Sequence, residues 1–126
     1  PGCEQLLQWV RERNFPAALI TRNSRASVER VFHRHELDFD VVITREDGLF
    51  KPSPQPLLEA CRRLKVCAAD AWMIGDGSYD VQAGVAAGMR TVWISHRRAR
   101  AFEPAPWKTA NDLPELLRML DSARQR

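Results

Sequence analysis

Ile74-Gly75-Asp76-Gly77-Ser78-Tyr79-Asp80 is the stretch that decides the fold. A short apolar run, Ala71-Trp72-Met73-Ile74, leads into a glycine and then two carboxylates four positions apart. The pattern predicts a buried strand that delivers both acids to the carboxyl edge of a parallel sheet, where open α/β folds place their chemistry. Two acids so close repel each other unless a cation intervenes, and a divalent ion such as Mg²⁺ is the usual solution.

Outward from that stretch, helix and strand signals alternate. Short apolar runs predict strands at 17–20, 41–43, 71–74 and 91–94. The first helix, over 4–13, turns Cys3, Leu6, Leu7 and Val10 to one face. A second follows Ser24 as its cap and carries Val28, Val31 and Phe32. A third opens at Ser53 with Pro54 at its first position and an apolar stripe of Leu57, Leu58, Cys61 and Leu64. A fourth runs from about Ser78 to Ala87 and ends at Gly88, and Asp112 with Glu115 form a capping box for the last. This order implies an α/β fold with a parallel sheet covered on both faces. Residues 95–110, rich in Arg, Pro and Ala, read as irregular.

Composition narrows the class. The 126 residues are 44% hydrophobic, enough for the core of one soluble domain. No apolar run nears the ~20 residues of a membrane span, and Pro1-Gly2-Cys3-Glu4 lacks the basic head of a signal peptide. The expectation is no membrane association. The chain opens on Pro1 rather than methionine, as a fragment or a processed form of a longer protein would. Cys3, Cys61 and Cys67 form no CxxC pair, which argues against zinc and fits a reducing cytoplasm. The net charge of +3 comes from dispersed arginines, so no nucleic-acid partner is expected. The one dense basic run, His96-Arg97-Arg98-Ala99-Arg100, reads as a solvated loop.

Three strand ends carry chemistry. The first runs into Thr21-Arg22-Asn23, the second into a segment from Thr44 to Lys51-Pro52, and the third into Asp76 and Asp80. In a parallel sheet these ends converge on one crevice. A hydroxyl and backbone N–H groups hold phosphate oxygens, a lysine adds a point charge, and two acids bind Mg²⁺. Together they make an electrostatic clamp for a phosphoryl group. Each residue has a plainer explanation: Thr21 as a helix cap, Lys51 as a surface lysine, Asp76 and Asp80 as helix N-terminal acids. Those explanations together leave unexplained why all four fall at strand ends.

In this chain order, Leu19-Ile20-Thr21-Arg22-Asn23, Lys51-Pro52-Ser53-Pro54 and Gly75-Asp76-Gly77-Ser78-Tyr79-Asp80 resemble the haloacid dehalogenase-like (HAD) hydrolase superfamily. The helix Gln82-Ala83-Gly84-Val85-Ala86-Ala87-Gly88-Met89 and the opening Pro1-Gly2 extend the likeness over roughly residues 1 to 120, nearest the phosphoglycolate-phosphatase-like branch. The resemblance implies a Rossmann-like three-layer α/β/α core and a Mg²⁺-dependent phosphatase acting on a small phosphorylated metabolite. It implies that Thr21, Arg22, Asn23 and Lys51 hold the phosphoryl group and that Thr21, Lys51 and Asp76 serve catalysis. It gives Asp76 direct metal ligation, with Asp80 supporting the metal site through water or Lys51. Gly84 and Gly88 would permit close helix packing and a sharp exit.

The departure from the family is as informative. Its nucleophile lies in an Asp-x-Asp motif just after a first, central strand, and no such motif occurs here. Asp38-Phe39-Asp40 has the spacing but precedes the 41–43 strand, which puts it at the opposite end of the sheet. Residues 1–126 therefore read as the C-terminal part of a HAD-like core, without nucleophile or cap and inactive alone. The family's nucleophile strand would lie between the strands at 17–20 and 71–74. Its absence would leave open edges that invite a homo-oligomer. Two alternatives stand beside the enzyme: a non-catalytic phosphate- and Mg²⁺-binding module on the same scaffold, and a phospho-acceptor receiver domain. The receiver is disfavoured because its acids come before its threonine and lysine.

Overall fold

A computed structural model describes residues 3–21, 23–35, 39–48, 51, 53–102 and 105–124. Pro1, Gly2, Arg22, Asp38 and Pro52, all named above, lie outside the described residues, as do Leu49 and Phe50 of the segment from Thr44 to Pro52. The elements run α1 (Cys3–Glu12), β1 (Ala18–Ile20), α2 (Arg25–His35), β2 (Val41–Ile43), α3 (Gln55–Leu64), β3 (Trp72–Gly75), α4 (Ser78–Ala86), β4 (Arg90–Ile94), β5 (Lys108–Ala110) and α5 (Leu113–Arg124). Short 3-10 turns at Arg45–Asp47 and Ala68–Asp70 lead into α3 and β3.

All described strand pairs are parallel, and they fall into two groups. β1 pairs with β2, Leu19 opposite Val42. β3, β4 and β5 form the second sheet, with Met73 opposite Thr91 and Trp93 opposite Thr109. Among the described residues no ladder joins β1 to β3. The break falls at the position expected of the family's central strand, so the α/β/α sheet is incomplete there.

Side-chain alternation assigns the layers. Val92, Ile94 and Ala110 pack with Leu116 of α5, and Leu6 of α1, Trp72 and Ile74 close that side. On the other face Met73 packs with Leu57 of α3 and Ala83 of α4, joined by Ile20 of β1. The second cluster draws on both strand groups, so apolar packing under α3 and α4 holds the sheet together across its break. Leu57 is 1% exposed, and burying such a side chain contributes roughly 2 kcal/mol.

Two glycines act through geometry. A Cβ on Gly84 would collide with Thr91 Oγ1, so the glycine lets α4 lie directly on β4. Gly88, at φ +79°, takes the left-handed turn that ends the helix. Beyond one-residue shifts at the ends of α1, β1, β3, α4 and β4, two features differ from expectation. Pro54 is the N-cap of α3 rather than its first residue, and Ser53 Oγ accepts from the Gln55 N–H at 3.2 Å. The segment 95–110 is not wholly irregular, because its end forms β5, held by the Ser95 N–H donating to Ala110 O at 2.8 Å. Lys108-Thr109-Ala110 carries no apolar run to announce it, since only Ala110 is buried.

Candidate functional site

The carboxyl ends of β1 and β3 flank the break. β1 ends at Ile20, and the N–H of the next residue, Thr21, donates to Ile43 O at 3.0 Å and so extends the pairing with β2 by one bond. Thr21 Oγ1 accepts from the Asn23 N–H at 3.1 Å. The cap of α2 is Ser24 instead, whose Oγ accepts from the Ser27 N–H at 3.2 Å. Thr21 is therefore not the helix cap, and its hydroxyl proton remains able to donate. The Asn23 N–H, expected to face a phosphate, is spent on this local turn.

Lys51 lies just before α3. Its Nζ donates to Ile20 O at 3.4 Å and forms an ion pair with Asp80 Oδ1. Both side chains are only 15% exposed. Asp80 Oδ2 accepts from the Gly77 N–H at 3.1 Å, closing the first turn of α4. Asp80 thus combines the helix-capping role with the charge role. Gly75 makes the arrangement possible: a Cβ there would overlap the Asp80 side chain.

Asp76 differs in kind. Its carboxylate is 65% exposed, and Oδ2 lies 3.5 Å from His96 Nε2. Its backbone carbonyl accepts from two side chains that sequence reasoning did not select. Trp93 Nε1 donates at 3.1 Å and Arg98 Nη2 donates at 3.1 Å. Trp93 lies on the strand next to β3, the one signal that points to it.

Elsewhere the expected groups serve the scaffold. Thr44, fully buried beyond β2, donates through Oγ1 to Glu46 at 2.8 Å, and its N–H donates to Asp47 at 2.7 Å. The Thr44 hydroxyl lowers the pKa of Glu46. Glu59 is held down to about 2 by hydrogen bonds from Arg62 and then Arg63. Burial raises the Cys61 thiol, as suits a core residue. Asp40 Oδ2 accepts from the Ala17 N–H at 2.8 Å, at the amino ends of β1 and β2 and away from this site.

Among the described residues no three His, Cys, Asp or Glu side chains cluster tightly enough to hold a metal. The donors present fit Mg²⁺ in part. The exposed Asp76 carboxylate can ligate, while both Asp80 oxygens are engaged, which suits a supporting role. The structure brings Lys51, Asp80 and the end of β1 together, while the Asp76 carboxylate meets His96. Arg22 lies outside the described residues.

Residues 1–94 match the family model described as haloacid dehalogenase-like hydrolase. A pyrophosphatase, PpaX, from Bacillus thuringiensis is 32% identical over 94 residues, 72% of this chain and 44% of that protein. The bifunctional riboflavin kinase/FMN phosphatase of Arabidopsis thaliana is 35% identical over 98 residues, 75% of this chain and 26% of that one. The crystal structure of a HAD phosphatase from Thermococcus onnurineus superposes with a TM-score of 0.85 at 31% identity, covering 95% of this chain and 57% of the other. The chain therefore spans less than half the length of these two sequence relatives. No described helix is long and apolar enough to cross a membrane.

Proposed function

The chain belongs to the haloacid dehalogenase-like hydrolase family, and from that premise we propose that it is the C-terminal part of the core of a Mg²⁺-dependent phosphatase. Residues 1–126 form one partial core domain. The parent enzyme hydrolyses a small phosphate ester through an aspartyl-phosphate, in the cytoplasm. The phosphatase names of relatives at 32% and 35% identity support the reaction class.

One observation carries the assignment: Lys51 ties the end of β1 to Asp80 across the break in the sheet. An ammonium on the Ile20 carbonyl, one residue before Thr21, supports a positive charge where a phosphoryl group would need it. In the proposed mechanism the Thr21 hydroxyl donates to a phosphoryl oxygen and Lys51 balances the charge on phosphate and nucleophile. Asp80 fixes the ammonium of Lys51, and Asp76 would hold the metal. Bound there, Mg²⁺ would supply charge neutralisation for the transferring group. The attacking aspartate comes from a strand that fits between β1 and β3. The 126 residues alone do not turn over substrate.

The test is a phosphatase assay with Mg²⁺ on a small phosphate ester, using this polypeptide and the full-length parent. Turnover by the parent alone is the expected result. A parent with an intact Asp-x-Asp motif that hydrolyses no phosphate ester would refute it. A second reading is a non-catalytic phosphate- and Mg²⁺-binding or interaction module, in which Thr21, Lys51 and Asp76 bind without any attacking carboxylate. A gene whose product begins at this point supports the module; an upstream Asp-x-Asp supports the enzyme.

A further inference from the structure

The peptide unit between Asp76 and Gly77 is held at both ends. Its N–H, contributed by Gly77, donates to Asp80 Oδ2 at 3.1 Å. Its carbonyl, contributed by Asp76, accepts from Trp93 Nε1 and Arg98 Nη2, each at 3.1 Å. Both lone pairs of that oxygen are thereby engaged. Rotating this peptide plane breaks all of these bonds together. Two of them involve a charged group, Asp80 or Arg98, and such bonds are roughly twice as strong as neutral ones.

Each donor is fixed by its own surroundings. Trp93 is 3% exposed and lies opposite Gly75 in the β3–β4 register, one residue before Asp76. Its ring meets Phe102 edge-on at 4.8 Å. An indole N–H so deeply placed needs an acceptor, and it finds the Asp76 carbonyl. Arg98 comes from a turn built on Ser95, which is 2% exposed. The Ser95 carbonyl accepts from the Arg98 N–H at 3.0 Å and from its Nε at 2.9 Å. His96 and Arg97 between them hold left-handed backbone, at φ 51° and 65°. Two successive bulky residues adopt that conformation only where surrounding bonds impose it. Here the His96 N–H donates to Asn111 O at 2.9 Å and the Arg97 N–H to Ser95 Oγ at 3.2 Å.

The Asp76 carboxylate is 65% exposed, so packing does not set its direction. The peptide that follows it does. With that plane fixed, ψ of Asp76 is fixed, and so is the line along which its side chain leaves the backbone. We propose that Trp93 and Arg98 are positioning residues for Asp76, and that by clamping the 76–77 peptide they hold its carboxylate toward the cation site. The inference rests on Asp76 as the metal-holding acid proposed above and adds what aims it.

The test uses two variants of the 126-residue chain. Trp93→Phe keeps an aromatic ring beside Phe102 and removes the N–H. Arg98→Met, at an exposed position, removes the other donor. Hydrogen exchange of the Gly77 amide, followed by NMR without metal, reads the clamp, and the Val92 amide of β4 reads the sheet. Gly77 is expected to exchange about tenfold faster in each variant, with Val92 unchanged. Trp93→Phe alters no charge, and it is expected to bind Mg²⁺ about tenfold more weakly than wild type. Gly77 exchange at the wild-type rate, or acceleration at Gly77 and Val92 alike, overturns the clamp. An unchanged Mg²⁺ affinity in Trp93→Phe overturns the positioning role and leaves Asp76 as the ligand. No Mg²⁺ binding by wild type overturns both.

Discussion

Lys51, just before α3, forms an ion pair with Asp80 in the first turn of α4, and both side chains are 15% exposed. The pair joins elements that pack under different strand groups, because α3 contacts β1 and β2 while α4 contacts β3 and β4. Lys51→Met leaves the Asp80 charge shielded from water and without its counter-ion. Breaking a pair so placed is expected to cost about 3–5 kcal/mol. Urea unfolding measures it. The double variant Lys51→Met/Asp80→Asn should recover much of the loss, since the stranded charge is then gone.

Gly75→Ala tests the same site sterically. A Cβ at Gly75 would overlap the Asp80 side chain, whereas one at Gly77 would sit 3.6 Å from Asp80 Oδ2, an ordinary contact. Gly75→Ala should destabilise by roughly 1–3 kcal/mol, the cost of overpacking. Gly77→Ala should cost less. Thermal melts of the two variants give the ranking, and equal melting temperatures would contradict it.

The strands β1 to β4 were legible because each is a short apolar run bounded by turn residues, and α3 because Leu57 and Cys61 fall on one buried face. The meeting of Lys51, Asp80 and the end of β1 was legible only as positions at strand ends, and the Asp76 carboxylate, expected beside them, meets His96 instead. That Asp80 would divide its oxygens between Lys51 and the Gly77 N–H was not, because such a partnership depends on tertiary placement. β5 escaped because its bonds depend on β4 and its side chains are mostly exposed. The Trp93 and Arg98 bonds to the Asp76 carbonyl escaped for a related reason. A left-handed turn at His96 and Arg97, neither of them glycine, folds the basic run back onto the site, and composition alone reads that run as solvated.

The two carboxylates should separate in metal binding. Asp76 is exposed and meets a histidine, while both Asp80 oxygens have donors. Asp76→Asn is expected to weaken Mg²⁺ binding more than Asp80→Asn. Asp80→Asn should instead lower stability, because it removes the partner of Lys51. Calorimetric titration with Mg²⁺, paired with melting curves, checks both halves, and the reverse ranking in affinity would remove Asp76 as the ligand.

Acid stability gives a prediction away from the site. Glu59 has its pKa lowered from 4.5 to about 2 by Arg62 first and Arg63 second. A carboxyl whose folded value is depressed stabilises the fold above its unfolded value and loses that contribution as pH falls through the folded one. The stability difference between wild type and Glu59→Gln should therefore be full above about pH 4.5 and vanish toward pH 2. Denaturation across that window measures it, and a difference independent of pH would contradict the cause.

The phosphoryl clamp itself is most directly tested by titrating inorganic phosphate into ¹⁵N-labelled protein and following the backbone amides. Shifts should concentrate at Thr21, Asn23, Lys51 and Gly75–Ser78, saturate together with one dissociation constant, and vanish in Lys51→Met variants that remain folded. Saturating shifts confined to other surfaces, or none at any concentration, would mean that these residues do not share an anion site.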